Sequence, residues 1–274
     1  MTVTNAVETT MIWGTVSGAS MVGMVISLLL SAVLPIVLGI FIYKKTKAWV
    51  PAFFIGCGIF VGFAMILEQI CHAIVLTVTG SAIRDNIWLY AIYGGLAAAL
   101  FEECGRWIAM KFCLKKHLTR ENALMYGAGH GGIEAFLILG MSSMSNLLTA
   151  AMINGGLMEK TMTALEPAQQ EVTYHQLSVL WTTPAYQFYL APVERISAIA
   201  LQIALSILVY SAVKTGRKLQ LAAAFGLHFA VDFLTVICAS MIPTWALELG
   251  LLVVVAVICA AVYKLVYVHS AEKK

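Results

Sequence analysis

Residues 101–107 read Phe-Glu-Glu-Cys-Gly-Arg-Trp and place Glu102, Glu103 and Arg106 inside an otherwise apolar run. The run begins near Ile87 and ends at a cluster of lysines. It is long enough to cross a bilayer, which takes about 20 residues. Charged side chains at membrane depth are costly, and where they occur they tend to mark functional sites. This stretch therefore predicts a membrane-spanning helix that carries a buried polar site.

Two later apolar stretches carry polar pairs with the same spacing. His130 and Glu134 are four positions apart, and so are His228 and Asp232. Residues at this spacing lie on one face of an α-helix and can interact, as the charged residues at 102 and 106 can. Three apolar helices that each present one polar pair indicate a site built between helices.

The composition is that of an integral membrane protein. Of the 274 residues, 61% are hydrophobic and only 11% are charged, whereas a soluble domain averages about 25% charged. The net charge of +3 comes from lysines and arginines at the ends of apolar runs, and no basic stripe interleaved with aromatic residues suggests a nucleic-acid partner. We therefore predict a multi-pass protein of the cell membrane, in which the protein is surrounded by the lipid bilayer.

Hydropathy predicts an all-α fold, a polytopic bundle of about seven transmembrane helices. At this stage residues 147–157 are either a continuation of the fourth span or a short extra helix, and the polar region after them is a loop. The predicted spans are 12–43, 49–78, 87–112, 122–140, 186–213, 219–241 and 245–268.

The basic residues predict the orientation of this bundle. Clusters at 44–47, 111–120, 214–218 and 264–274 all fall on one side of a seven-span arrangement. Because positive charge accumulates on the cytoplasmic side, we expect the N-terminus outside and the C-terminus in the cytoplasm. We further expect residues 1–274 to form a single integral membrane domain, with a motif-bearing core at about 87–240 and an extracytoplasmic loop at about 158–183.

The position of each motif along its helix predicts a shared depth. With a rise of about 1.5 Å per residue, Glu102 lies roughly 16 Å, His130 roughly 12 Å and His228 roughly 14 Å from the cytoplasmic ends of their spans. We therefore expect the three motifs to meet in one layer in the cytoplasmic half of the membrane.

A second set of polar residues falls nearer the outer face. Glu68 and His72 are four residues apart in the second span, and Glu194 and Arg195 lie near the start of the fifth. We expect these residues to form a separate layer, with a structural or access-related role for the pair in the second span.

Carboxylates and imidazoles at one depth suit the hydrolysis of a peptide bond. A glutamate can take a proton from water, a histidine can orient or share that proton, and a second histidine or carboxyl group can stabilise the oxyanion. The same side chains suit Zn²⁺, for which His130, His228 and Glu134 are the candidate ligands. Glu134 is either such a ligand or the partner that orients His130. There is no H-E-x-x-H motif to support the metal interpretation.

Each of these residues also has a structural interpretation. A lone intramembrane histidine often hydrogen-bonds between helices, and Glu103 and Arg106 can form an ion pair that serves packing alone. The glycines around His130 favour close approach of helix backbones. The six cysteines all fall in apolar segments without a C-x-x-C pair, which predicts core packing rather than disulfides or a metal site.

Taken together, the motifs resemble those of the CAAX-prenyl-protease and bacteriocin-processing superfamily of intramembrane proteases. That superfamily is marked by Glu-Glu-x-x-x-Arg, Phe-x-x-x-His and His-x-x-x-Asn/Asp, whereas here two residues separate Glu103 from Arg106. The shorter spacing looks more like the PrsW branch. The block Gly129-His-Gly-Gly-Ile-Glu134, with Glu194-Arg195 downstream, looks most like the YhfC family of glutamic-type intramembrane proteases.

The resemblance implies a peptide-bond hydrolase in the bacterial cytoplasmic membrane that acts on a membrane-embedded or lipid-linked peptide or protein. By the resemblance, Glu102 matches the water-activating glutamate and His130 its partner, while His228 and Asp232 match the second histidine and the oxyanion-stabilising position. The depth of the motifs then predicts cleavage near the inner leaflet. The predicted site consists of Glu102, Glu103, His130, His228 and Asp232 as catalytic residues, with Arg106 and Glu134 in support.

Two other functions fit the same residues. Intramembrane Glu, His and Asp on facing helices suit the proton relay of a proton-coupled transporter, although the sequence lacks the inverted repeat typical of transporters. A non-catalytic membrane protein, such as a bacteriocin-immunity protein or a scaffold, is the third interpretation. The complete set of glutamate, histidine and aspartate side chains favours the protease.

Overall fold

A computed structural model describes residues 11–270, which form helices and turns without any strand. Within this range, seven helices are long and apolar enough to cross a membrane. The predictions of an all-α bundle and of a multi-pass membrane protein are therefore confirmed. The helices are α1 (Gly18–Thr46), α2 (Pro51–Thr79), α3 (Ile87–Cys113), α4 (Arg120–Asn154), α5 (Leu157–Met162), α6 (Pro167–Thr182), α7 (Ala185–Thr215), α8 (Lys218–Ala239) and α9 (Thr244–Tyr267).

Local sequence signals explain where several helices begin. The Ser17 hydroxyl accepts a hydrogen bond from the amide of Ser20 at 3.0 Å, and Asn86 and Thr119 cap α3 and α4 in the same way. Such caps satisfy amide groups that have no partner inside the helix. Pro51 and Pro167 occupy the first turns of α2 and α6, where the missing amide hydrogen of proline has no cost.

Two details of the chain trace differ from or refine the sequence prediction. The fourth span continues unbroken to Asn154, so residues 147–154 extend it and do not form a separate helix. The region at 158–183 is largely helical, because α5 and α6 occupy most of it. π-Helical segments interrupt the α-helical pattern at Val61–Glu68, Ala109–Cys113, Phe136–Gly140 and Tyr263–Tyr267.

Helix α7 is the centre of the bundle. It packs against α1, α4, α8 and α9, and most of its residues between Ser197 and Ala212 are buried. A helix that is apolar all round is expected in such a buried position. Close packing also explains the glycines of α4. A Cβ atom at Gly129 would collide with the carbonyl oxygen of Phe53, and one at Gly127 would lie 2.7 Å from the Cα of Ile203.

Contacts between helix ends define two ends of the bundle. The amide of Trp49 donates to Asn122 at 2.7 Å, and Arg120 donates to the carbonyl of Tyr267 at 3.2 Å. The clustered lysines within the described range lie at this end, which we call the lysine-rich end. Val16 and Asn154 are hydrogen-bonded at 2.8 Å at the other end, which we call the far end.

The cytoplasmic location of the lysine-rich end stays a prediction from the positive-inside rule. Lys273 and Lys274, which contribute to that prediction, lie outside the described residues. The interior of the bundle near the lysine-rich end is filled with large side chains. Those with almost no exposure are Met110, Leu114, Tyr126, Leu205 and Tyr210.

Candidate active site

The three predicted motifs meet in the middle of the bundle. Nε2 of His130, on α4, lies 2.9 Å from Oε2 of Glu102, on α3. Nδ1 of His228, on α8, lies 2.8 Å from Oε1 of Glu103. Nε2 of the same imidazole lies 3.5 Å from Oδ2 of Asp232 and 4.0 Å from Oε2 of Glu102. The helices thus bring together two histidines and three carboxylates that are up to 130 residues apart in the chain.

The two adjacent glutamates of α3 have different surroundings. Glu103 is buried, forms an ion pair with Arg106 and accepts a hydrogen bond from His228. Glu102 contacts His130 and lines an internal cavity, which Glu103 does not. Successive helix residues point about 100° apart, so the two side chains have different neighbours. Glu102 is the glutamate that lines the cavity.

A network of polar side chains surrounds Glu134. Its Oε1 accepts a hydrogen bond from Arg195 at 3.1 Å, and its Oε2 accepts one from Gln202 at 2.8 Å. Arg195 also pairs with its neighbour Glu194. The expectation that Glu194 and Arg195 form a separate layer is therefore wrong. The long arginine side chain spans the distance along α7 that separates its backbone from the site.

Gln202 belongs to the site although the sequence did not indicate it. This buried residue of α7 donates through Nε2 to Oε2 of Glu102 at 2.9 Å as well as to Glu134. Its Oε1 accepts from Arg106. The amide orientation is consistent, because a carboxylate only accepts and a guanidinium only donates. The available signal was a glutamine within the apolar run of a buried helix, seven residues after Arg195.

Three residues of this site fit a metal ion by their chemistry. Glu102, His130 and Glu134 are buried, and each offers one ligand atom within 4.8 Å of the others. Carboxylate oxygen and imidazole nitrogen are ordinary zinc ligands. Among the described residues, the group includes Glu102 where the sequence suggested His228.

The surroundings of these three residues also suit a metal site. A ligating histidine usually has a polar partner at its second ring nitrogen. The hydroxyl of Tyr126 lies 3.4 Å from Nδ1 of His130 and supplies that partner. Gln202 and Arg195 bind the two carboxylates in a similar way. The donor set and its supporting contacts therefore fit a metal ion.

The site opens into a cavity of about 540 Å³. Its walls include Glu102, Glu134, Gln202, His228 and Asp232. The side chain of Asp232 is 36% exposed, whereas that of His228 is 4% exposed. A substrate in this cavity would thus meet carboxylate, imidazole and amide groups together.

Comparisons with known proteins point in the same direction. Residues 30–259 match a family described as the YhfC intramembrane metalloprotease. The chain is similar to a protein of Bacillus subtilis (strain 168) named uncharacterized membrane protein YhfC. The two are 41% identical over 222 residues, which cover 78% of this chain and 83% of that protein. No solved structure matches the chain.

Proposed function

This chain belongs to the YhfC intramembrane metalloprotease family, and we propose that it is an endopeptidase that hydrolyses a peptide bond of a membrane-embedded or lipid-linked substrate. The observation that carries the proposal is the meeting of Glu102, His130 and Glu134 beside a cavity within a transmembrane bundle. Ionisable side chains within membrane spans are costly, and where they occur they tend to mark functional sites.

Glu102, His130 and Glu134 are the residues proposed to hold the metal ion, for which we favour Zn²⁺. A bound zinc ion would supply Lewis acidity and an activated water molecule. Nε2 of His130 now faces a carboxylate and therefore carries the proton of the neutral ring. As a ligand, this nitrogen must lose its proton. The ring proton can then reside on Nδ1, where the Tyr126 oxygen is available as an acceptor.

His228 is proposed to move the proton during hydrolysis. Nδ1 donates to Glu103, and Nε2 faces Asp232 and Glu102, so each ring nitrogen has a carboxylate partner and can carry a proton. Nε2 can deliver its proton to the amine nitrogen as the C–N bond breaks and regain one from the attacking water. Glu103 orients the imidazole as the aspartate does in a catalytic triad. Asp232 stabilises the charged ring.

One contact favours a second, metal-free version of this hydrolysis. The hydrogen bond of 2.9 Å between Glu102 and His130 would allow Glu102 to act as the base that activates water. This is the glutamic-type mechanism that the resemblance implies. Kinship with the CAAX-prenyl-protease and bacteriocin-processing superfamily, including its PrsW branch, is part of the proposal and is supported by the order of the three motifs.

The test is cleavage of a panel of membrane-spanning peptides by the purified full-length protein. We expect cleavage that is lost in Glu102→Gln and His130→Gln and retained in Glu121→Gln, a control at the lysine-rich end whose carboxylate pairs with its neighbour Arg120. Chelator-sensitive cleavage restored by Zn²⁺ supports the metalloprotease, and chelator-resistant cleavage supports the glutamic-type version. Failure of the zinc-loaded protein to cut any peptide would contradict the proposal and favour proton-coupled transport or a non-catalytic role.

A further inference from the structure

The cavity is closed towards the lysine-rich end. Its deepest lining residues on α2, α3 and α8 are Phe60, Glu102 and His228. Each lies about nine or more residues from the lysine-rich end of its helix, which corresponds to about 14 Å or more of protein. The large buried side chains described above, among them Met110 and Tyr126, fill that space. A substrate therefore has no route to the site from this end.

The same cavity extends almost to the far end of the bundle. Leu76, Tyr90 and Val236 line it, and each lies three residues from the far end of its helix. Three residues correspond to about 5 Å along a helix axis. The cavity is therefore a passage from the far end to Glu102 and His228.

The second span forms a loosely packed wall of this passage. No residue of the segment Gln69–Thr79 is buried, although the first half of the same helix packs closely against α4. The π-helical segment Val61–Glu68 separates the two halves. Such segments are frequent at functional sites. The half that borders the passage is therefore packed less tightly than the first half of the helix.

Polar groups of α2 and of the neighbouring helix α3 face the passage at this wall. Nδ1 of His72 lies 2.7 Å from the hydroxyl of Tyr93, and its Nε2 lies 3.2 Å from Oε1 of Glu68. We call these three residues, Glu68, His72 and Tyr93, the wall cluster. All three line the same cavity as Glu102. One continuous cavity therefore joins the wall cluster to the site.

A membrane-embedded substrate has a specific need for such groups. Its peptide bonds are hydrogen-bonded within a helix, and an attacking group can reach one only after local unwinding. Unwound backbone groups in a membrane require other partners, since no water is present there to satisfy them. The hydroxyl, imidazole and carboxylate of the wall cluster can donate to and accept from an extended peptide.

We infer that the substrate is an extended segment of a membrane-anchored polypeptide that reaches Glu102 and His228 from the far end, along the wall cluster. The inference rests on the proposed function and adds to it the route by which the substrate reaches the site and the extended form of that substrate. With the lysine-rich end in the cytoplasm, it places entry in the outer half of the membrane. Cleavage near the inner leaflet stays a prediction, because the route of entry does not change the depth of Glu102 and His228.

The route can be tested without any enzymatic activity. We would replace the native cysteines by alanine, introduce Thr235→Cys in the passage, and apply a membrane-impermeant maleimide to vesicles of either orientation. Ser81→Cys in the far-end loop and Lys116→Cys in the lysine-rich loop report the two sides. We expect Thr235→Cys to be labelled from the same side as Ser81→Cys. Labelling from the side of Lys116→Cys, or from neither side, would overturn the inference.

The wall cluster has its own test, which uses cleavage. Removing one hydrogen-bonding group that binds the extended substrate should raise KM about two- to tenfold and leave kcat nearly unchanged. We expect this result for Tyr93→Phe and not for Tyr43→Phe, a matched change at the lysine-rich end. An unchanged KM in Tyr93→Phe would overturn the role of the wall cluster. A protein with correct labelling but no cleavage would instead contradict the proposed function and leave the passage intact.

Discussion

Nε2 of Gln202 lies 2.9 Å from Oε2 of Glu102, and the same amide nitrogen lies 2.8 Å from Oε2 of Glu134. One side chain therefore holds two carboxylates that would otherwise repel each other in a buried site. Its oxygen binds the guanidinium of Arg106, so Gln202 also connects these carboxylates to the fully buried cation. We regard Gln202 as a positioning residue for the proposed metal ligands.

Replacing Gln202 by leucine should weaken metal binding about 10- to 100-fold, which is typical when a partner of a metal ligand is lost. Metal stoichiometry and competition with a chromogenic chelator would measure the affinity. Ser206→Ala is the matched control, since its hydroxyl donates to the backbone carbonyl of Gln202, at 2.7 Å, and not to the side chain of Gln202. Equal affinities in Gln202→Leu and wild type would exclude the positioning role.

Metal binding should stabilise the folded protein. Saturation to 100 times the dissociation constant adds about 2.7 kcal/mol to the free energy of unfolding. We therefore expect a higher melting temperature with Zn²⁺ than with a chelator, and a much smaller difference in Glu134→Gln. Thermal unfolding in detergent measures both. An identical melting temperature of the wild type under the two conditions would favour the metal-free mechanism.

The ion pair between Glu103 and Arg106 should be essential for folding. Arg106 is fully buried, and Arg106→Met would leave the carboxylate of Glu103 without its charged partner. Loss of one member of a buried pair costs about 3–5 kcal/mol. The double variant Arg106→Met/Glu103→Gln should recover part of that loss, because no unpaired charge remains at 103. Denaturation in mixed micelles would compare the two, and equal stabilities would show that the charge of Glu103 is not the cause.

Asp232 is expected to affect the reaction and not the metal. Asp232→Asn removes the negative charge 3.5 Å from Nε2 of His228 and should lower kcat about 100-fold or more, the usual range for loss of acid–base assistance. Metal affinity should stay within about twofold, because Asp232 is outside the donor set. Single-turnover cleavage and metal titration on one preparation separate the two effects. A variant that loses its metal would assign Asp232 to the binding site.

A substitution at Gly129 would test whether α4 packs closely on α2. Gly129→Ala would place a methyl group against the carbonyl of Phe53, and such overpacking costs about 1–3 kcal/mol. Gly58→Ala is the matched control, because no atom lies within 4 Å of a Cβ atom at that position of α2. Alanine there should stabilise the helix by about 0.5–1 kcal/mol. Melting temperatures that move in the same direction would refute this account.

The sequence was sufficient to predict the bundle and the meeting of the three motifs. Spans follow from length and hydropathy, and depth follows from counting residues, since a helix rises by a constant amount. These two quantities placed His130 and His228 at the level of Glu102. Neither quantity determines which neighbours a helix has, so the contribution of α7 was not predicted.

Counting residues along a helix gives the depth of the backbone, but not the direction in which a side chain points or how far it extends. The guanidinium of Arg195 binds Glu134 although its backbone lies nearer the far end. Gln202 is the opposite case, because it lies at the right depth but has no charge to attract notice. Both residues become recognisable only when the facing helix is known. The roles proposed for the site residues stay predictions until the experiments above are made.

The π-helical segment of α2 also has an evolutionary consequence. A π turn is closed by hydrogen bonds from residue i to i+5, so it holds one residue more than an α-helical turn without changing the direction in which the helix beyond it faces. In a relative that lacks one residue between Val61 and Glu68, this stretch would be α-helical, and the histidine after it would still face the tyrosine of α3. One-residue insertions and deletions should therefore be tolerated in this segment, and each should coincide with gain or loss of the π turn while the histidine keeps its partner.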